Sequence, residues 1–285
     1  MRDIAGRRII ATALAGLVVS VLAACGADSK GPTAEPSLVA GATRNGTLTI
    51  GISADQPGLG LRFGDSYTGF DAETATYVAK ALGVPEKNIT WKEAQPADRE
   101  SLLSSGQVDL VFSTYSITEE RKKKVDFAGP YFVAHQDLLV RRNDTEITGP
   151  ETLHNKRLCS VTGTTSAARV KERYKGDIDL KEYPKFSECV SALVDGDVDA
   201  VTTDDVILAG YAAEEQYKGK LKVVGDGFSD ENYGVGIKKG DSDMVKKVNA
   251  ALKQYIDDGS WKKALESTVG PSGYDIPDPP KPAKS

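Results

Sequence analysis

Apolar side chains along this chain follow the two-residue period of strands in some stretches and the longer period of helices in others. The first strand is predicted at residues 47–53 (TLTIGIS) and the first helix at residues 71–83, with Asp71 as its N-cap and Gly83 as its stop. Further strands are predicted at ITWKEA, VDLVF, FVAHQDLLVRR, RLCSV, VDAVTTD, LKVVG and NYGVGIKKG, and further helices at residues 97–105, 166–174, 186–196, 205–217, 243–258 and 260–267. Strands and helices in alternation predict an α/β fold built on mainly parallel sheets.

Two segments follow neither period. Residues 54–69, between the first strand and the first helix, are rich in glycine and are predicted to form an irregular loop. Residues 272–285 are rich in proline and are predicted to be a disordered tail.

A nine-residue pattern, L-x-x-G-x-V-D-x-V, occurs at residues 103–111 and again at residues 193–201. Each copy contains the end of a predicted helix, a glycine stop and a predicted strand, and polar residues follow both strands. We therefore expect two halves of similar architecture. In each half, polar side chains should lie at the carboxyl end of a strand, where open α/β sheets bind ligands.

Residues 113–132 (STYSITEERKKKVDFAGPYF) follow the first copy of the pattern and carry a dense set of candidate binding groups. Thr114 and Ser116 offer hydroxyl groups, and the planar guanidinium of Arg121 matches a carboxylate bidentately. This combination predicts a site for a small anion. The alternative is a solvated basic turn, since three lysines follow Arg121 directly.

The composition is that of an ordinary globular protein. The chain has 285 residues, of which 40% are hydrophobic and 27% are charged, enough for one large or two modest domains. Its formal net charge of -5 argues against nucleic acid as a partner. His135 and His154 have no metal-ligand spacing around them and belong to no recognisable triad, so we predict no metal, no cofactor and no enzyme active site.

The amino terminus has the features of an export signal. Three arginines precede an apolar run over residues 9–24, which is shorter than the roughly 20 residues of a membrane-spanning helix. Residues 22–25 (LAAC) resemble the bacterial lipoprotein box. That resemblance implies cleavage after residue 24, lipidation of Cys25, anchoring to the outer face of the cytoplasmic membrane, and a flexible tether over residues 25–44. The alternative is an ordinary signal peptide in which Cys25 is incidental.

Cys159 and Cys189 form a candidate disulfide. With Cys25 lipidated, these two cysteines are left as a pair in an oxidising compartment. Their bond would close a loop of about 30 residues, worth about 3.5 kcal/mol in the chain-entropy model. The alternative is two buried free thiols.

Five segments together resemble a known family. They are GFDAETATYVAKALG, SGQVDLVFSTYSITEERKKKVDFAGPYF, SVTGTTSA, GDVDAVTTDDVIL and NYGVGIKKG, in the family's order. The family is that of the extracytoplasmic solute-binding proteins of polar amino acid ABC importers, with the periplasmic-binding-protein type II fold. Residues 55–60 (DQPGLG) and 202–210 (TTDDVILAG) are similar to its actinobacterial glutamate-binding lipoproteins.

The resemblance implies two lobes joined by two hinge strands, with the ligand held between them. The first lobe would comprise residues 45–138 and 231–271, and the second lobe residues 139–230. The hinge strands would lie near residues 137–141 and 228–233. Closure about this hinge would trap an amino acid in a monomeric protein, and the permease of an ABC importer would recognise the closed form.

Family positions assign the ligand's α-carboxylate to Arg121, assisted by the hydroxyl groups of Thr114 and Ser116. A loop at the amino end of a helix, a favourable place for an anion, would assist from the second lobe. That loop consists of Gly163, Thr164 and Thr165.

The α-ammonium is assigned to Asp204, in preference to its neighbour Asp205. Asp204 also has a structural interpretation as the N-cap of the helix that follows it, and one residue can serve in both roles.

The distal group of the ligand is assigned to Arg99, which aligns with an arginine of the family's glutamate and aspartate binders. Its guanidinium would bind a second carboxylate and reject an amide. Arg62 in the glycine-rich loop is a second candidate, with a solvated loop residue as the alternative interpretation. The candidates for an aromatic wall along the ligand methylenes are Phe63, Tyr67 and Tyr115, with a core or surface role as the alternative for each.

These assignments predict L-glutamate as the ligand, with a binding free energy of about -8 kcal/mol or more favourable. The alternatives are glutamine, aspartate or asparagine in the same site, or a role as a ligand sensor for a membrane signalling partner. Enzymes share this fold, but neither histidine lies at an expected site position.

Overall fold

The structure is a computed structural model that describes residues 46–173 and 177–281. The predicted signal segment, the lipidation site at Cys25 and the tether at residues 25–44 lie outside the described residues. Within them, none of the helices combines the length and the apolar character needed to span a bilayer.

Strands and helices alternate along the described residues, as the hydrophobic pattern predicts. The strands are β1 (Leu48–Ile52), β2 (Asp55–Gln56), β3 (Gly60–Phe63), β4 (Ser66–Thr68), β5 (Ile89–Glu93), β6 (Leu110–Phe112), β7 (Val125–Ala134), β8 (Gln136–Arg141), β9 (Arg157–Val161), β10 (Asp179–Tyr183), β11 (Ala200–Asp204), β12 (Leu221–Val223) and β13 (Glu231–Lys238). The α-helices are α1 (Phe70–Ala81), α2 (Arg99–Ser104), α3 (Glu119–Lys122), α4 (Thr165–Arg173), α5 (Phe186–Asp195), α6 (Asp205–Ala213), α7 (Ser242–Asp257) and α8 (Ser260–Thr268).

Two five-stranded sheets form the centres of two lobes. The first sheet has the order β5-β1-β6-β13-β7, and the second has the order β10-β9-β11-β8-β12. In each sheet four strands point the same way, while β13 or β8 runs antiparallel to both of its neighbours. The prediction of a two-lobed α/β fold with mainly parallel sheets is confirmed.

Each antiparallel strand belongs to the segment by which the chain passes between the lobes. β7 pairs with β13 in the first sheet, whereas β8 pairs with β11 and β12 in the second, so the chain crosses at His135. The return crossing lies just before β13, whose first residue, Glu231, pairs with Ala134. Residues 132–142 are therefore two strands in two sheets. The single long strand predicted there is wrong, and the first crossing precedes the predicted residues 137–141.

The repeated sequence pattern makes the same strand contact in both lobes. Asp109 accepts a hydrogen bond from the Thr49 N–H at 2.8 Å and donates its own N–H to the Thr49 carbonyl, also at 2.8 Å. Asp199 makes the equivalent pair of bonds with Arg157, at 2.9 Å and 2.7 Å. The pattern therefore marks two equivalent connections from a helix to a central strand, as expected from the sequence.

Helix α1 begins earlier than predicted, and Asp71 is not its N-cap. The N-cap is Gly69, and Asp71 lies in the first turn. The carboxylate of Asp71 is buried and accepts hydrogen bonds from the Thr114 N–H at 2.8 Å and from the Tyr131 hydroxyl at 2.6 Å. Its side chain thus serves tertiary contacts and not the end of its own helix.

The glycine-rich loop is more regular than predicted. β2, β3 and β4 form a small antiparallel sheet within residues 54–69. Phe63 is 79% exposed near the tip of its hairpin, and the ring of Tyr67 lies 5.8 Å from that of Trp91.

The disulfide between Cys159 and Cys189 is present, which confirms its prediction. Both cysteines are fully buried, one in β9 and the other in α5. Because the bond ties a strand to a helix of the same lobe, it stabilises the second lobe without linking it to the first.

The carboxyl-terminal segment has a defined course as far as residue 281, in contrast to the disordered tail predicted from residue 272. After α8, a short 3-10 helix (Gly270–Ser272) contacts α6. The ring of Tyr274 lies 6.4 Å from that of Phe132 in β7, and its hydroxyl donates to the Asp205 carboxylate in α6 at 3.0 Å. Tyr274 therefore makes the segment a bridge between the lobes, and Ile276 also packs against the core.

Candidate functional site

The lobes face each other across a cleft at the carboxyl ends of their parallel strands. In the first sheet the chain passes from β1 to β5 on one side and then to β6 on the other side of β1. In the second sheet it passes in the same way from β9 to β10 and then to β11. The strand order therefore reverses between β1 and β6 and between β9 and β11. Such switch points are where open α/β sheets bind ligands. Residues 113–116 follow β6, residues 162–165 follow β9, and Asp204 ends β11. The polar segments predicted from both halves therefore meet in one cleft.

Arg121 lies in the single-turn helix α3, and its guanidinium reaches across the cleft. Thr118 caps this helix by accepting a hydrogen bond from the Arg121 N–H at 3.2 Å. The buried side chain donates from Nη1 to the Ser116 carbonyl at 2.7 Å and from Nη2 to the Gly163 carbonyl of the second lobe at 2.9 Å. The three lysines that follow are exposed. The alternative interpretation as a solvated basic turn therefore applies to these lysines and not to Arg121.

Arg99 lies beside Arg121, but backbone carbonyls occupy most of its guanidinium. The side chain is nearly inaccessible to solvent. Its Nη2 approaches the Gly163 carbonyl at 3.3 Å. Its Nε and Nη1 donate to the carbonyls of Pro96, Ser113 and Thr114, at 3.2, 2.9 and 3.4 Å respectively. Arg99 therefore has fewer N–H groups to offer a ligand than Arg121 has.

Two buried positive charges thus share one acceptor, the Gly163 carbonyl. Both guanidinium groups also lie against the ring of Tyr115, at 4.2 Å and 5.0 Å from its centroid. Burial, together with the charge of Arg121, lowers the pKa of Arg99 to about 10. Glu100 lies 3.7 Å from Nε of Arg121. An anion bound here would reduce the repulsion between the two guanidinium groups, so the site favours anionic ligand groups.

Thr114 lies on the first-lobe side of the cleft with a φ angle of +42°, which is rare for a β-branched residue. Its N–H donates to Asp71, and its Oγ1 accepts a hydrogen bond from Nε2 of Gln56 at 2.9 Å. The residue is therefore fixed in both backbone and side chain.

Ser116 and Thr165 both bond to the carboxylate of Glu231 at the second crossing. Thr165 donates from Oγ1 at 2.8 Å, and Arg169 approaches the same carboxylate at 3.0 Å. Burial raises the pKa of Glu231, but the hydrogen bonds from Ser116 and Thr165 and the charge of Arg169 outweigh burial and lower it overall. Sequence reasoning did not identify Glu231, which connects both sides of the cleft to the hinge.

Gly163 and Thr164 form the tip of the second-lobe loop. The Thr164 hydroxyl donates to the Val161 carbonyl at 2.7 Å and accepts from the Ala167 N–H at 3.0 Å, so it caps the start of α4. Gly163 has a φ angle of +85°, and a Cβ atom there would lie 2.6 Å from Cα of Ala97 in the first lobe. The lobes can approach this closely because residue 163 has no side chain.

Asp204 lies at the N-cap position of α6, but its carboxylate makes no capping hydrogen bond. It accepts instead from the Tyr233 hydroxyl at 2.5 Å. Burial, together with the charge of Glu231, raises its pKa to about 7. The neighbouring Asp205 accepts hydrogen bonds from the backbone of His135 and from Tyr274. Asp204 is therefore the acid that faces the cleft, and Asp205 belongs to the hinge.

A small cavity of about 10 Å³ lies between these groups. The predicted site residues that line it are Arg99, Thr114, Ser116, Arg121, Thr164, Thr165 and Asp204. Arg62 is not among the lining residues. It is exposed on β3 and donates from Nε to the Gly64 carbonyl at 2.9 Å.

Four further residues line the cavity that the sequence did not indicate: Pro96, Phe186, Thr203 and Ile207. Phe186 and Ile207 provide apolar surface, whereas Phe63 and Tyr67 lie elsewhere and Tyr115 supports the two guanidinium groups. In the sequence, Phe186 and Ile207 have the spacing of core residues. Both residues lie in the first turn of their helix, α5 or α6, at the end that faces the cleft. This position was the sequence signal that could have identified them as cavity residues.

Known proteins resemble this chain over most of its length. The sequence pattern of the bacterial extracellular solute-binding proteins, family 3, matches residues 48–270. A glutamate-binding protein, GluB, of Corynebacterium glutamicum is 42% identical over 91% of this chain and 88% of its own length. A glutamine-binding protein, GlnH, of Bacillus subtilis is 36% identical over 92% of this chain and 97% of its own.

Solved structures agree with the fold. An ancestral arginine-binding protein bound to glutamine superposes with a TM-score of 0.73 and 35% identity, over 80% of this chain and all of that one. The match to a family of solute-binding proteins confirms the prediction that this chain is a binding protein and not an enzyme. The chain belongs to the bacterial extracellular solute-binding proteins, family 3.

Proposed function

We propose that this protein captures L-glutamate between its lobes and delivers it to an ABC importer. The observation that carries the proposal is the set of charges around the cavity. Two buried guanidinium groups, those of Arg99 and Arg121, lie together on the first lobe, and the carboxylate of Asp204 lines the same cavity from the second.

This set of charges is the complement of glutamate. Glutamate carries two carboxylates and one ammonium, so each of its charges finds an opposite charge in the cavity. Glutamine would leave one buried guanidinium without an anionic partner, which is costly in a site that excludes water. Aspartate carries the same charges on a shorter side chain and reaches both arginines less well.

Among the two arginines, Arg121 is the better placed to bind the α-carboxylate. Within the described residues, each of its terminal nitrogens makes one hydrogen bond and so keeps a second N–H for a ligand. The Gly163–Thr165 loop at the start of α4 adds the partial positive charge of a helix amino end. The GluB relative of Corynebacterium glutamicum supports the same ligand.

The second candidate ligand is L-glutamine. The observation that favours it is the engagement of Arg99 by backbone carbonyls, because a guanidinium occupied in this way acts as a structural group. The site would then present one cation and one anion, which suits a neutral amino acid. The glutamine-binding relative of Bacillus subtilis fits this alternative.

Calorimetry with glutamate, glutamine, aspartate, asparagine and arginine distinguishes the candidates. We expect glutamate to bind with a dissociation constant near or below about 1 μM, and glutamine to bind at least about tenfold more weakly. Tight binding of glutamine without binding of glutamate would refute the glutamate assignment and leave the amino acid site in place.

Delivery to an importer requires a position outside the cell. We propose that residues 1–24 are removed as a signal peptide and that lipidated Cys25 anchors the protein, as a monomer, to the outer face of the cytoplasmic membrane. Cys25→Ser should release the protein into the medium, and mass spectrometry of the wild-type amino terminus should show the acyl chains. Capture of membrane partners by the ligand-bound protein separates an importer permease from a signalling receptor.

A further inference from the structure

Asp71 is a fully buried carboxylate that lies outside the ligand cavity. It does not line the cavity, yet it bonds to Thr114, which does. Its second oxygen accepts from the Tyr131 hydroxyl at 2.6 Å. This charged group of the first lobe therefore lies next to the ligand site without forming part of its lining.

The backbone of Thr114 needs support to keep its observed conformation. A φ angle of +42° brings the Cβ of an L-residue close to its own backbone, and the branched side chain of threonine makes this worse. Such conformations persist only where the surroundings hold them in place, and they are concentrated at ligand sites.

Three contacts hold Thr114. Asp71 accepts its N–H, Arg99 donates to its carbonyl, and Gln56 donates to its Oγ1. Because Gln56 is the donor in that last bond, the hydroxyl hydrogen of Thr114 remains to be donated elsewhere. The residue lines the cavity, so this hydrogen can serve a ligand carboxylate.

Stability alone does not explain a carboxylate at position 71. Burial raises its pKa to about 6, which means that the surroundings disfavour the ionised form. Phe70 and Ala75 of the same helix belong to the apolar core. An apolar side chain at position 71 would avoid the cost of burying a charge.

We infer that Asp71 is a positioning residue of the ligand site, which holds Thr114 in its left-handed conformation and so aims the Thr114 hydroxyl and the Arg99 guanidinium at the ligand. The inference rests on the proposed function, because the experiment that tests it uses glutamate as the probe. Asp71 itself does not touch the ligand.

The test compares glutamate affinity in Asp71→Ala, Asp71→Asn and Tyr131→Phe by calorimetry. Asp71→Ala should weaken binding by about tenfold, because Thr114 loses its holding contact. Asp71→Asn keeps an acceptor oxygen and should stay within about threefold of wild type. Tyr131→Phe, the matched control, removes the other hydrogen bond of the same carboxylate and should leave the affinity unchanged.

A second background separates positioning from general damage. Glycine adopts positive φ at little cost, so in a Thr114→Gly protein the change Asp71→Ala should weaken binding by less than about threefold. The same loss in both backgrounds, or an Asp71→Ala protein that binds like wild type, overturns the inference.

A measurement on the unliganded protein covers the case in which Asp71→Ala does not fold. The amide proton of Thr114 should move upfield in the nuclear magnetic resonance spectrum of Asp71→Asn, because its acceptor loses its charge, and an unmoved signal overturns the inference. If wild type binds glutamine and not glutamate, the glutamate proposal fails. The same variants measured with glutamine still decide the role of Asp71.

Discussion

Tyr233 donates its hydroxyl hydrogen to the carboxylate of Asp204 across 2.5 Å, so a strand of the first lobe holds the acid that the second lobe contributes to the site. Burial, together with the charge of Glu231, raises the pKa of Asp204 to about 7. A ligand ammonium would favour the ionised form and lower this pKa.

Glutamate binding should therefore weaken as the pH falls below about 7, by up to about tenfold per pH unit, because the ligand requires ionised Asp204. Glutamate itself changes charge little between about pH 8 and pH 5.5, since its distal carboxyl has a pKa of about 4.3. Calorimetry across this range measures the effect, and Asp204→Asn should bind weakly at every pH. An affinity that does not change over the range would contradict the assignment.

The stability of the unliganded protein should have the opposite pH dependence. The pKa of Asp204 is raised from 3.8 to about 7 on folding, so its contribution to stability is complete below 3.8 and is lost as the pH rises through about 7. The shift in melting temperature produced by saturating glutamate should consequently grow with pH. Thermal unfolding with and without ligand, from about pH 5.5 to pH 8, measures both trends.

The two arginines should respond differently to substitution. Arg121→Ala should abolish the binding of every amino acid, whereas Arg99→Ala should chiefly weaken the acidic ones. A loss of about 3 kcal/mol or more is expected for Arg121, since a charge-assisted bidentate contact is removed. Lys123→Ala, on the exposed face of the same turn, is the control and should bind normally. Equal losses for every ligand in both arginine variants would remove the proposed division of roles.

Gly163→Ala should prevent the lobes from closing as far as they do here. A Cβ atom at this position would meet the backbone of Ala97, with its Cα atom 2.6 Å away. We expect the affinity for glutamate to fall by about tenfold or more. Gly196→Ala is a matched control, because its φ angle of +82° is similar but no atom lies within 4 Å of the added Cβ. The control should lose about 1 kcal/mol of stability and no affinity.

The disulfide should stabilise the second lobe without affecting ligand selectivity. Cys159→Ala with Cys189→Ala should lower the free energy of unfolding by about 2–5 kcal/mol. Urea titration of the variant and of wild type, each with and without reductant, measures this loss. Reductant should weaken wild type only, and a variant as stable as oxidised wild type would contradict the expectation.

The contact between Tyr274 and Asp205 should contribute to the stability of the folded protein. Tyr274→Phe keeps the ring beside Phe132 but removes the hydrogen bond, and we expect a loss of about 1 kcal/mol in the free energy of unfolding. Tyr217→Phe is the control, because the hydroxyl of this half-buried tyrosine has no hydrogen bond within residues 46–173 and 177–281. Equal losses in the two variants would argue against a specific role for the bridge.

The sequence predicted those features that depend on periodicity and on local chemistry. The alternation of strands and helices and the repeated connection ending in Asp109 or Asp199 followed from residue types and spacing alone. The disulfide was predicted from the cysteine count once the resemblance to a lipoprotein box had assigned Cys25 to lipidation. The grouping of Arg121 with Asp204 came from resemblance to a family, because no local rule shows that residues so far apart in the chain share a cleft.

The features that the sequence missed depend on long-range contacts. Asp71 looks like an N-cap, since acids are common there, but its partners Thr114 and Tyr131 lie far along the chain. The last segment looks disordered from its prolines, but Tyr274 and Ile276 pack against the core. Arg99 was assigned to the ligand by its family position, and its bonds to backbone carbonyls could be seen only once the strands had been placed.

The position of β13 determines the order in which the two sheets can be completed as the chain is synthesised from its amino terminus. β7 is the edge strand beyond β13 in the first sheet, so β7 cannot join that sheet until residues 231–238 are available. All five strands of the second sheet lie between Gln136 and Val223. The second lobe starts later in the sequence but can therefore finish folding first. The lobe that holds Arg121 is completed afterwards.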